Sequence, residues 1–136
     1  MFGPLYRAMA RVVLERCARA GLLPTRGLLN LAIQKLNEGQ LGDAIDYFRM
    51  AIGRQLTPAQ RNQALLVLDF LCSEIDSHIK KAERTGRFDP SLARVFVPSL
   101  RWHFHPSNPD VSEGIRILRS LRERVQRMAE AAGLDP

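Results

Sequence analysis

With 136 residues, 46% of them hydrophobic and 25% charged, the chain can bury one sizeable core, which excludes a disordered or fibrous polypeptide. Its net charge of +6 is almost entirely arginine, since Lys35, Lys80 and Lys81 are the only lysines. That balance admits another protein, nucleic acid or an anionic membrane surface as partner.

Strands are not expected, because Val, Ile and Thr nowhere alternate with polar residues over a useful length. Leu, Ala, Arg and Glu dominate and argue for helices. A first helix is expected from Pro4 to Ala20, with proline in its first turn and Gly21 past its end. Leu5, Met9, Val12, Val13 and Ala20 share one stripe, which predicts a core helix capping the rest over residues 1–23. Its charge, Arg7, Arg11, Arg16 and Arg19 against Glu15, would also suit a cleaved signal or a surface-lying membrane anchor. The apolar run Val12–Leu14 is too short for a secretory core, and serine is missing. No apolar run approaches the ~20 residues needed to span a bilayer.

Thr25 is the expected N-cap of a second helix, about Arg26 to Glu38. Its Leu28, Leu29, Leu31, Ala32, Ile33 and Leu36 ask for cover on two sides. Gly39 closes it. A third helix follows from Leu41 to Gln55, where Ala44, Phe48 and Ala51 recur at helical spacing. Thr57, Pro58 and Gln60 supply a cap, a first-position proline and a capping box for a long helix over 57–84. Ala64, Leu68, Leu71, Cys72, Ile75, Ile79 and Ala82 form its main stripe. Leu66 and Phe70 lie on the other face and predict that its first half is sandwiched. Cys17 and Cys72 each sit alone in an apolar pattern, which reads as two free thiols in a reducing, cytoplasmic setting.

Residues 85–109 hold prolines and aromatics, with a short helix expected over Ser91–Phe96. The rest should be irregular but ordered, because Phe88, Phe96, Trp102 and Phe104 are together too apolar for water. Asp110 with Glu113 offers another capping box for a last helix over 110–133. Val111, Ile115, Leu118, Leu121, Val125, Met128 and Ala132 make its apolar face, and Arg119–Glu123 and Glu123–Arg127 are spaced to pair. The expectation is one all-α domain, 1–136, of five to six helices with antiparallel hairpins and an irregular aromatic segment.

Leu28, Leu31, Ala32, Gly39, Leu41, Ala44, Phe48 and Ala51 resemble the tetratricopeptide repeat pattern over about residues 26–56. Leu28 stands where that family has tryptophan, Lys35 where it has tyrosine, and the closing proline comes late, as Pro58. No second convincing repeat follows, so the other helices must cap the hairpin. The resemblance implies that Ala32 meets Ala44, that Phe48 fills the wedge, and that Ala51 admits the next helix. It also implies a protein-binding scaffold or adaptor whose inner face presents Arg26, Leu29, Ile33, Leu36 and Asn37. The basic clamp that some members use for a carboxylate is mostly absent.

Candidate chemistry is sparse. His103 and His105 form a His-x-His pair whose third metal ligand would have to come from afar, so no metal or other cofactor is expected. Glu74 and His78, one turn apart, have the spacing of an acid–base pair but read as a hydrogen-bonded pair at a helix boundary. Without a Gly-rich phosphate loop, nucleophile elbow or Cys–His signature, no catalytic residue is assigned. Trp102 beside Arg101 is either a binding hot spot or a plug over the open end of the helical stack. The expected function is a non-catalytic protein-interaction module. Its rival is a basic helical domain binding nucleic acid or an anionic membrane surface.

Overall fold

Gly39, with φ +75°, reverses the chain between two amphipathic segments, and the all-α architecture builds outward from that hairpin. The computed structural model describes residues 4–134; residues 1–3 of the expected capping segment lie outside the described residues. The helices are α1 (Pro4–Arg19), α2 (Thr25–Asn37), α3 (Leu41–Ile52), α4 (Pro58–Thr85) and α5 (Ser112–Ala131). Two 3-10 helices, Pro90–Val95 and Pro98–Phe104, link α4 to α5, and no strand occurs among the described residues.

The α4 start follows the sequence signal: Thr57 Oγ1 accepts from the Gln60 N–H at 3.3 Å, and Gln60 Oε1 accepts from the Thr57 N–H at 3.0 Å. Two other expected caps are corrected. Thr25 is the first helical residue of α2 and is buried, while Pro24 holds the cap position with no side-chain bond. Asp110 accepts from the Ser112 N–H at 2.9 Å, but Glu113 turns to Arg116 and no box closes.

α2 packs most extensively on α3, and α4 lies against both. Ala32, Ala44, Phe48 and Ala51 are fully buried, with Leu28, Leu29 and Leu31 also interior. Helix α4 contributes its whole expected stripe together with Val67. The Gln63 side-chain amide donates to Asn30 Oδ1 at 3.0 Å, and residues further along both helices also meet, so α2 and α4 run parallel. Helix α5 packs antiparallel on α4, with Arg122 Nε 2.8 Å from Asp76 Oδ1 and Arg119 3.7 Å from Glu83. Arg119 therefore reaches across to α4 instead of pairing with Glu123; the Glu123–Arg127 pair forms as spaced, at 3.7 Å.

The aromatic segment docks on the helices; the short helix expected over Ser91–Phe96 is found as a 3-10 helix, Pro90–Val95, whereas a second 3-10 helix, Pro98–Phe104, stands where irregular chain was expected. Phe104 is its centre, edge-on to Phe88 (5.0 Å, 63°) and stacked on Phe96 (4.2 Å, 4°). Trp102 instead faces solvent, with its ring 5.6 Å from that of His105.

Two apolar features face outward against expectation. Leu66 and Phe70 are not sandwiched and stay 51% and 44% exposed. The stripe of α1 is likewise not core, since Leu5, Met9, Val12, Val13 and Ala20 are all exposed and Ala18 is the helix's fully buried residue. Helix α1 runs antiparallel along the C-terminal half of α2 and docks through its charged side. Arg11 pairs with Glu38 at 3.3 Å, and Glu15 accepts a hydrogen bond from Lys35. The reason lies in Lys35, only 5% exposed: a buried ammonium needs a carboxylate, and Glu15 meets it.

Candidate partner-binding groove

At Asn30 the parallel helices α2 and α4 are bridged by the Gln63–Asn30 bond. Ile33, Leu36 and Asn37 from α2 and Phe70, Ser73 and Glu74 from α4 line an open groove of about 390 Å³. The spacing of three and four residues on each helix is what puts these side chains on facing surfaces. Leu66 continues the apolar wall one turn before Phe70.

The floor is aliphatic and aromatic, with Ile33 and Leu36 half-buried and Phe70 exposed. Asn37 and Ser73 add hydrogen-bonding groups. Glu74 Oε1 lies 3.3 Å from His78 Nε2, so the predicted pair does form, at the groove's edge. The groove thus offers apolar contact plus one carboxylate. It suits an amphipathic segment carrying a donor or cation at its margin.

Of the residues expected to face a partner, Ile33, Leu36 and Asn37 are brought together here. Leu29 is not available; it is fully buried in the core. Arg26 is exposed but is not among the groove's lining residues. Arg101 and Trp102 belong to the second 3-10 helix, which packs on the first and on α5, and the Arg101 Nε–H donates to the Phe96 carbonyl at 3.0 Å. They are not part of the groove. Phe70, Ser73 and Glu74 were not expected in it. Their signal was the off-stripe pair Leu66 and Phe70, which the sequence alone reads as sandwiched.

Lys35 sits on the opposite side of α2. Burial alone would lower its pKa, but the hydrogen bond and charge of Glu15, with Glu38 added, raise it on balance. Cys72 is buried, and its desolvation pushes the thiol pKa up, against a reactive role; both cysteines are free. His105 Nδ1 accepts from the Ser107 N–H at 3.0 Å. Among the described residues no three His, Cys, Asp or Glu side chains gather as a metal site would need, and no helix is long and apolar enough to cross a membrane. Compared with protein-family models, curated proteins and solved structures, the chain matches none.

Proposed function

We propose that the chain is a non-catalytic protein-interaction module, an adaptor built on a tetratricopeptide-like hairpin, and that the α2/α4 groove receives a partner's amphipathic segment. The observation carrying this reading is the exposure of Phe70 and Leu66 beside Ile33 and Leu36, an apolar surface that the fold leaves uncovered. The stacking supports the repeat-like part of the reading. Asn30 and Gln63, 33 residues apart, are bonded across parallel helices, close to the repeat length of roughly 34 residues in that family.

The arginines speak against the nucleic-acid rival. Arg11, Arg49, Arg116, Arg119, Arg122 and Arg127 each lie beside a carboxylate, so these six form local ion pairs and do not join into one unpaired cationic patch, although the net charge stays +6. Affinity capture from native cells with wild type and Phe70→Glu tests the adaptor reading. A specific protein retained by wild type and lost in the variant, with equal thermal melts, is the expected result. Identical captured sets would remove the groove from the account. Submicromolar binding to nucleic acid at physiological salt, with a slope of about −0.9 per phosphate neutralised, would favour the rival.

A further inference from the structure

Helix α1 is docked inside out. Its charged side, Arg11 and Glu15, meets Glu38 and Lys35, and its apolar residues point away from the protein. Leu5 is 75% exposed, Met9 61% and Val13 59%, with Val12 and Leu14 on the flanks nearly half exposed. At roughly 100° per residue this set fans over about 200° of the helix surface. Leu22, just beyond the helix, is also 74% exposed. An inter-helix groove covers a stripe of roughly 100°, whereas a flat apolar boundary covers a wide arc.

The charge on that outward side is of one sign. Glu15 is the helix's only acidic residue, and it is turned to Lys35. Arg7 and Arg16 are exposed and have no carboxylate within ion-pair distance among the described residues. Arg7 borders the arc. Arg16 lies within it, and its long stem can carry the guanidinium up to phosphate level. At 1.5 Å per residue, 16 residues reach about 24 Å, short of the ~30 Å hydrocarbon core, so the helix can lie on a bilayer but not cross it. We propose that the outward face of α1 is a docking surface for an anionic lipid bilayer. The ion pairs to α2 fix the body of the protein above the membrane, with the bilayer taking Leu5, Met9 and Val13.

Flotation of the full chain with vesicles, at physiological salt, tests this. Vesicles of phosphatidylcholine containing phosphatidylglycerol should carry the wild type, and pure phosphatidylcholine should carry far less. Met9→Glu/Val13→Glu changes two exposed positions and should lower binding by at least about tenfold, with an unchanged melt. Should that variant fold poorly, Leu5→Glu in the first turn serves instead. Arg7→Gln/Arg16→Gln should weaken binding and flatten its salt dependence, while Phe70→Glu, in the α2/α4 groove, should leave it unaltered. Absence of binding to anionic vesicles, or binding that survives the Met9/Val13 change, overturns the proposal. So does equal binding to neutral vesicles. Light scattering that finds a dimer in wild type and a monomer in Met9→Glu/Val13→Glu would overturn it as well, by assigning the face to a second copy of the chain.

Discussion

Gly114 lies directly against Phe88: a β-carbon at residue 114 would stand 2.5 Å from Phe88 Cε2 and 2.8 Å from the His103 carbonyl oxygen. The first turn of α5 thus closes on both ends of the aromatic segment. Helix propensity alone makes Gly114→Ala stabilising by up to about 1 kcal/mol. Overpacking against a buried ring and a backbone carbonyl acts in the opposite direction and is larger, so a net loss of about 1–3 kcal/mol is expected. Thermal or urea unfolding decides the sign. Phe88→Leu added to Gly114→Ala should recover part of the loss.

The hairpin makes a second prediction. Ala44 and Phe48 are both fully buried. Ala44→Trp cannot place an indole where the interior admits a methyl group and should cost about 1–3 kcal/mol or more. Phe48→Ala should cost about 3–5 kcal/mol by leaving a cavity. Melts unchanged in both variants would show that the α2–α3 contact is not the core of the fold.

Lys35 controls the attachment of α1. Its side chain is 6% exposed and that of Glu15 24%, so their bond is partly shielded from water. Lys35→Met should release α1 with a local loss of about 1.5–3 kcal/mol, read as faster hydrogen exchange over residues 4–19. The core amides of α3 and α4 should change less. Because the Lys35 pKa is raised in the folded chain, its contribution is complete below the ordinary lysine value of 10.5 and is lost as pH rises through the folded value. Protection of the α1 amides, taken relative to the intrinsic base-catalysed rate, should therefore fall only in strong alkali for wild type and be reduced at every pH in the variant.

Asp89 gives the acid counterpart. The Ser91 N–H (3.0 Å) and hydroxyl (2.8 Å) both donate to its Oδ1, and these two bonds hold its pKa below the ordinary 3.8. The sign is opposite to that of Lys35: the stabilisation is present above pH 3.8 and fades as pH falls through the lowered value. Asp89→Ala should lower stability at pH 7 by up to about 1 kcal/mol, since the carboxylate is exposed at the cap of a short 3-10 turn. The two melting curves should converge in strong acid. A difference that persists there would assign the effect to packing instead of charge.

Much of the architecture is legible in local pattern. The Thr57–Gln60 box, the α4 stripe and the small–large–small order of Ala44, Phe48 and Ala51 each depend on residues within a few positions of one another, and each is found as read. The candidate groove was half legible. Ile33, Leu36 and Asn37 followed from the face of one helix, but their opposite wall, Phe70 to Glu74, comes from a helix more than thirty residues on. Leu29 was misassigned for the same reason: its full burial is set by long-range packing, which no spacing within α2 records.

The sequence by itself determined which segments are helical and which side of each is apolar, because backbone geometry imposes a period of 3.6 residues on any chain. Whether an apolar side is covered was decided only by the tertiary structure. For α4 the stripe from Ala64 to Ala82 met α2, α3 and α5, while Leu66 and Phe70 met nothing that hides them. For α1 the stripe faced solvent altogether. A buried lysine twenty residues away draws the charged side of α1 inward: Glu15 accepts its hydrogen bond, and Glu38 at 3.6 Å adds a second carboxylate. Periodicity is a property of one helix, whereas orientation is set by the partners that long-range folding brings to it.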